Sequence, residues 1–89
     1  MPVAWIPSLL RDLTQGATTI TVEGGTVREA IESLEQRFPG IKARLCDGDR
    51  LRPNISVIVD GQVSHQRLRQ PLGEHSEVHF VPAISGGEG

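Results

Sequence analysis

The stretch TVREAIESLEQRFPG, residues 26–40, decides the architecture. Val27, Ala30, Ile31, Leu34 and Phe38 fall at i, i+3, i+4, i+7 and i+11, so one face of a helix is apolar. Arg28, Glu32, Glu35 and Gln36 fall on the wet side, Glu32 and Glu35 as solvated charge. Thr26 stands at the N-cap with Glu29 three residues on, the spacing of a capping box. The threonine oxygen takes one free amide of the first turn and the glutamate takes another. Pro39-Gly40 then stops the helix. No other segment carries so clear a helical stripe, so the rest of the chain must supply the surface against which it packs.

The flanking segments supply strands. Upstream, Val3-Ala4-Trp5-Ile6 is a short apolar run stopped by Pro7. SLLRDLTQGA follows, with Gly16 as the turn centre. TTITVE alternates, placing Ile20 and Val22 on one side and Thr19 and Thr21 on the other, and Gly24-Gly25 closes it. Downstream, Ile41 to Leu45 adds a short helical turn. ISVIVDGQV reads as two strand segments around Asp60-Gly61, the strongest hairpin signal in the chain. Ile55, Val57 and Val59 share one face there, and Ser56 and Ile58 the other. HQRLRQPLGEHSE is a polar connection turning at Pro71-Leu72-Gly73. EVHFVPA is the last strand, with Val78 and Phe80 opposite in parity to His79 and Val81.

A hairpin, one helix crossing over it and returning strands specify an α+β fold of the ubiquitin-like β-grasp kind: a mixed sheet with one main helix packed across it. The crossover allows the first and last strands to pair in parallel near the middle of the sheet, shielded from edge pairing. The expected core is Ile6, Ile20, Val22, Val27, Ile31, Leu34, Phe38, Val57, Val59, Val78 and Phe80. Trp5, Ile58 and Val81 have the opposite parity, so the helix cannot cover them, and they form a candidate partner-docking patch. For Trp5 the plainer alternative is filling the edge of the core. Residues 1–82 make the domain and residues 83–89 a flexible tail carrying Gly86-Gly87.

Bulk properties exclude much. At 89 residues one domain is expected, with room for a single core and none for a large catalytic cleft. A formal charge of −2 gives no footprint for nucleic acid. The basic residues from Lys42 to Arg52 are interleaved with Asp47 and Asp49 and read as solvated surface. No apolar stretch approaches the ~20 residues that span a bilayer, so no membrane partner is expected. No basic start precedes an apolar run, which excludes a signal peptide. Cys46 is the only cysteine, so no internal disulfide forms and a reducing cytoplasm is the expected setting. It reads as a half-buried small residue.

Catalytic signatures are missing. There is no phosphate loop, and no G-x-G-x-x-G follows a strand. His75 and His79 are four apart, but the interval spans a turn and a strand, and no third ligand lies at metal-binding spacing. Ser85 lies beside glycines without a nucleophile elbow. The chain therefore looks unable to run a reaction alone, and no bound metal or cofactor is expected. The tail stands out instead. Pro82 cannot donate to a strand ladder and ends the last strand. Ala83, Ile84, Ser85, Gly86 and Gly87 follow, and five extended residues reach about 17 Å. Glycine without a Cβ can thread a narrow channel in another protein. Composition alone leaves plain fraying open.

The segments TVREAIESL, RLRPNISVIVDG and VPAISGG resemble the MoaD/ThiS family of sulfur carriers, which includes the small subunit of molybdopterin synthase and the thiamine-pathway carrier. IPSLLRDLTQGA is similar to carriers of a protein-thiocarboxylate route to cysteine. The resemblance covers nearly the whole chain. It implies a protein that is not itself an enzyme, whose terminal glycine is adenylated by an E1-like adenylating enzyme using ATP and magnesium. A sulfur donor then converts the adenylate to a thiocarboxylate, which hands sulfur to a sulfur-accepting synthase. On this resemblance Gly87 is the reacting residue, preceded by Gly86, and Pro82, Ala83, Ile84 and Ser85 bind the partner. The same tail would also serve a molybdopterin synthase small subunit or a ubiquitin-like modifier conjugated through that glycine. Family carriers usually stop at the second glycine, whereas here Glu88-Gly89 follow. Beside the resemblance this suffix leaves three readings: a masked precursor cut between Gly87 and Glu88 by a JAMM-type metallopeptidase, which is favoured, Gly89 as the reacting end, or a chain that is not a working carrier.

Overall fold

The structure, a computed structural model, describes residues 1–82. In chain order its elements are β1 (Val3–Trp5), a 3-10 turn (Ser8–Leu10), β2 (Thr19–Thr21), α1 (Val27–Arg37), α2 (Ile41–Leu45), β3 (Cys46–Asp47), β4 (Arg50–Leu51), β5 (Ile55–Val59), β6 (Gln62–Val63), a second 3-10 turn (Arg67–Arg69) and β7 (Glu77–Pro82). The main sheet runs β2-β1-β7-β5-β6. The first and last strands pair in parallel at its centre, Ala4 beside Val78, and every other pairing in it is antiparallel. This is the β-grasp arrangement the sequence predicts, with α1 on one side of the sheet.

Local chemistry explains the helix. The Glu29 amide donates to Thr26 Oγ1 at 3.2 Å, so the N-cap forms as expected. The glutamate carboxylate reaches further back than a capping box requires and accepts from the Gly25 amide at 2.7 Å. Gly24 makes this possible: its φ is +139°, and a Cβ there would lie 2.5 Å from Glu29 Cβ. The helix ends at Arg37 because Phe38 turns to φ −134°, ψ 78°. Phe38 was expected in the core and is instead half-buried, with the Arg37 guanidinium 5.5 Å from its ring centroid. Leaving the helix swings its ring off the apolar stripe. The other ten expected core residues are buried.

Glu35 also departs from expectation. Rather than standing as solvated charge, its carboxylate accepts from the Gly40 amide at 3.2 Å and the Lys42 amide at 2.9 Å. It thereby caps α2, which starts after the left-handed Gly40. Glu32 pairs with Lys42 Nζ. The segment from Lys42 to Arg52 is surface only in part. Leu45, Cys46 and Leu51 are buried within and around the β3–β4 hairpin, which turns on Gly48 at φ +66°. Cys46 is thus buried and not half-buried: its side chain continues the layer begun by Leu45.

Asp60-Gly61 forms the turn between β5 and β6 with φ of 53° and 85°. Asp60 Oδ1 accepts from the Glu77 amide at 2.9 Å and its Oδ2 from Ser76 Oγ at 3.1 Å. The hairpin tip is therefore tied to the start of β7. The connection before β7 does more than link strands. The Val27 amide donates to Gln70 O at 3.0 Å and the Leu72 amide to Gly25 O at 2.9 Å, so it closes over the beginning of α1.

Candidate functional site

The sheet face opposite α1 has no covering element among the described residues, and strand register sets what it displays. Thr19 pairs with Trp5, Trp5 with His79, His79 with Ile58 and Ile58 with Val63, one row across all five strands. Trp5 is 38% exposed and Val63 58%; Ile58 and His79 are half-buried. The indole and imidazole rings stack at 5.0 Å between centroids, 9° from parallel. Toward the tail, Val81, 40% exposed, lies beside Ser56. On the other side the next row is Thr21, Val3 and Glu77. The face is a band of apolar side chains with a polar border on the side away from the tail.

Trp5, Ile58 and Val81 thus share one face, as their parity predicts. Trp5 lies outside the core and does not fill its edge. Two residues of the band were not singled out by sequence reasoning. The parity of His79 was legible, but its stack on Trp5 depends on the parallel register between strands 72 residues apart in the chain (Trp5 and Glu77). Val63 joins because the Asp60-Gly61 turn fixes its pairing with Ile58. Pro82, the last described residue, is half-buried opposite Ile55, on the core side of β7 and away from Val81. Ala83, Ile84, Ser85, Gly86, Gly87 and Glu88 lie outside the described residues, as does the tail segment 83–89.

Elsewhere the ionisable groups serve structure. The hydrogen bond to Glu32 holds the Lys42 ammonium above its usual range. Burial pushes the Cys46 thiol up against the opposing influence of nearby Lys42, Arg28 and Arg52. A thiol so held is protonated and poorly nucleophilic. No group of three potential metal ligands occurs among the described residues, and no helix there is long and apolar enough to cross a membrane. His65 and His75 are exposed.

Comparison with known proteins agrees with this fold. The ThiS family model matches residues 5–87. The sulfur carrier protein CysO of Mycobacterium tuberculosis is 30% identical over 87 residues, covering 92% of this chain and 94% of that protein. A chain of the crystal structure of the Amycolatopsis orientalis BexX/CysO complex superposes with a TM-score of 0.91 at 31% identity, covering 98% of this chain and 100% of that one. The crystal structure of Mycobacterium tuberculosis CysO gives 0.87 at 25% identity, with 94% and 100% covered. Small archaeal modifier protein 1 of Methanosarcina acetivorans, at 0.81 and 22% identity over 97% and 95%, shares the fold. The main-sheet order, the open apolar face and a match spanning all but six residues together establish that the chain belongs to the ThiS family of ubiquitin-like β-grasp proteins.

Proposed function

We propose that this chain is a cytoplasmic sulfur carrier for cysteine biosynthesis, activated at Gly87. The observation that carries the reading is the family match, which runs to Gly87 and leaves Glu88 and Gly89 beyond it. The similarity to CysO proteins over nearly their whole length supports cysteine as the pathway. As written, Gly87 is joined to Glu88 by an amide, and hydrolysis of that bond by a metallopeptidase frees a glycine carboxylate. A carboxylate is a poor electrophile because its leaving group is poor. In an adenylating enzyme, its oxygen attacks the α-phosphorus of ATP, with magnesium on the phosphates. A carboxyl–phosphate bond forms, the α–β bond breaks and pyrophosphate leaves. A hydrosulfide equivalent then attacks the carbonyl, the carbon–sulfur bond forms, and AMP departs. The resulting thiocarboxylate is a soft nucleophile for a sulfur-accepting synthase. The chain itself is substrate and docking surface, and catalysis resides in its partners. The open face around Trp5, Ile58 and Val81 is the docking surface, Pro82 roots the tail, and Ala83 to Gly87 enter the partner's channel. The likeness to a chain of the BexX/CysO complex supports docking to a partner protein.

ATP–pyrophosphate exchange with the adenylating enzyme tests the reading. A chain ending at Gly87 should support exchange and the chain carrying Glu88-Gly89 should not. A glutamate beside the triphosphate adds like-charge repulsion to the obstruction. Gly87→Ala should impair the trimmed chain, because its methyl meets the closest approach to the enzyme. Equal exchange by both lengths would refute the masking and move the reacting carbonyl beyond Gly87.

A further inference from the structure

A recess lies where β7 ends, on the side of the chain away from the open face. It encloses about 250 Å³ and is lined by Leu9, Leu10, Arg44, Asn54, Ile55 and Pro82. That is below the roughly 300–1,000 Å³ of small-molecule sites, so it suits a protein side chain better than a cofactor. Leu9 is 69% exposed, the most exposed large apolar side chain among the described residues, while its neighbour Leu10 is buried and anchors the turn. Arg44 projects from α2, is exposed, and makes no ion pair among the described residues.

We infer that this recess is a second anchor for the adenylating enzyme, accepting one apolar side chain from it with an acidic residue set against Arg44. The inference rests on the reading of Gly87 as the adenylated terminus. Gly87 is five residues past Pro82, at most about 17 Å of extended chain. An enzyme holding its carboxylate against ATP must therefore cover the surroundings of Pro82. The mixed anhydride is open to hydrolysis until sulfur displaces AMP, so the carrier has to stay docked through both steps. A tail of small residues offers few side chains to grip, and anchoring must come from the folded part. Val81 presents the open face and Pro82 the recess, so contact at both holds the end of β7 from two sides. A single contact would let the root of the tail pivot. The exposed leucine and the unpaired guanidinium specify the chemistry of the partner surface: an apolar knob beside a carboxylate.

Exchange kinetics with the chain ending at Gly87 distinguish the possibilities. Leu9→Glu and Arg44→Glu should each raise the KM for the carrier about tenfold or more with kcat little changed, as loss of a docking anchor does. Leu9→Met and Arg44→Lys should stay near the parent. Both glutamate variants alter exposed positions, and unchanged urea midpoints would exclude unfolding as the cause. A KM within twofold of the parent for both, with Val81→Asp still raising it, overturns the second anchor and leaves the proposed function standing. If the same variants slow only the removal of Glu88-Gly89, the recess serves the peptidase and the inference is overturned. If the parent ending at Gly87 supports no exchange at all, the proposed function fails and takes this inference with it.

Discussion

A thiol 5% exposed, ringed at longer range by Lys42, Arg28 and Arg52, is caught between two opposed influences, and burial prevails at Cys46. Its folded pKa lies above the ordinary thiol value of about 8.5. Below that value the proton is bound in both folded and unfolded chains and stability is flat. As pH rises past it the unfolded chain ionises first, so stability falls until the folded thiol also titrates. Urea midpoints should decline as pH rises above about 8.5 in the parent and less steeply in Cys46→Ala. The Lys42 shift belongs to a higher window, above about 10.4, and does not confuse the comparison. Identical slopes in the two chains would contradict the burial argument. The sequence offered a half-buried reading here because a lone cysteine beside Asp47 gives no periodicity. The alternation that buries it appears only once Gly48 has turned the chain and Leu51 has come alongside.

At the scale of elements, α1 was the most legible part because its stripe, cap and stop agree. Leu34 is fully buried at the centre of that stripe. Leu34→Ala should cost about 2–5 kcal/mol through lost burial and a residual cavity, measured as a lowered denaturation midpoint with unchanged slope. What escaped sequence reasoning lies at the ends of elements, where spacing allows several partners. Glu29 had two amides within reach and took that of Gly25, because a glycine at 24 lets the backbone fold against it. Glu35 looks like one more charge on a wet face until Gly40 reverses the chain and brings two free amides to it. Phe38 fits the stripe by arithmetic, but the turn toward Pro39 begins one residue sooner than the arithmetic assumes. The small hairpin at 46–51 was missed although its Asp47-Gly48 pair is a turn signal, because strands of two residues carry no alternation to read.

For the molecule as a whole, the order of strands followed from a hairpin on each side of one helix, and the open apolar face followed from parity. The recess beside Pro82 did not, since it gathers residues from four separate segments of the chain. Charges placed in the middle of the open face should expose its role. Ile58→Asp and Val81→Asp should each abolish capture of the adenylating enzyme in a pull-down while the far-ultraviolet spectrum is retained, because both side chains point away from the core. Undiminished capture would remove the face from the docking surface. The central pairing of β1 with β7 carries one more consequence, a mechanical one. The two strands run the same way, with Val3 beside Glu77 and Trp5 beside His79. Tension applied between the beginning of the chain and the tail would therefore pull them in opposite directions along their length, loading their hydrogen bonds together in shear instead of parting them one after another. Stretched in a force spectrometer by Pro2 and Gly87, the domain should yield in one abrupt rupture, and gradual lengthening would speak against it. By this topology the domain is hardest to pull apart when its first strand and its last are drawn toward opposite ends.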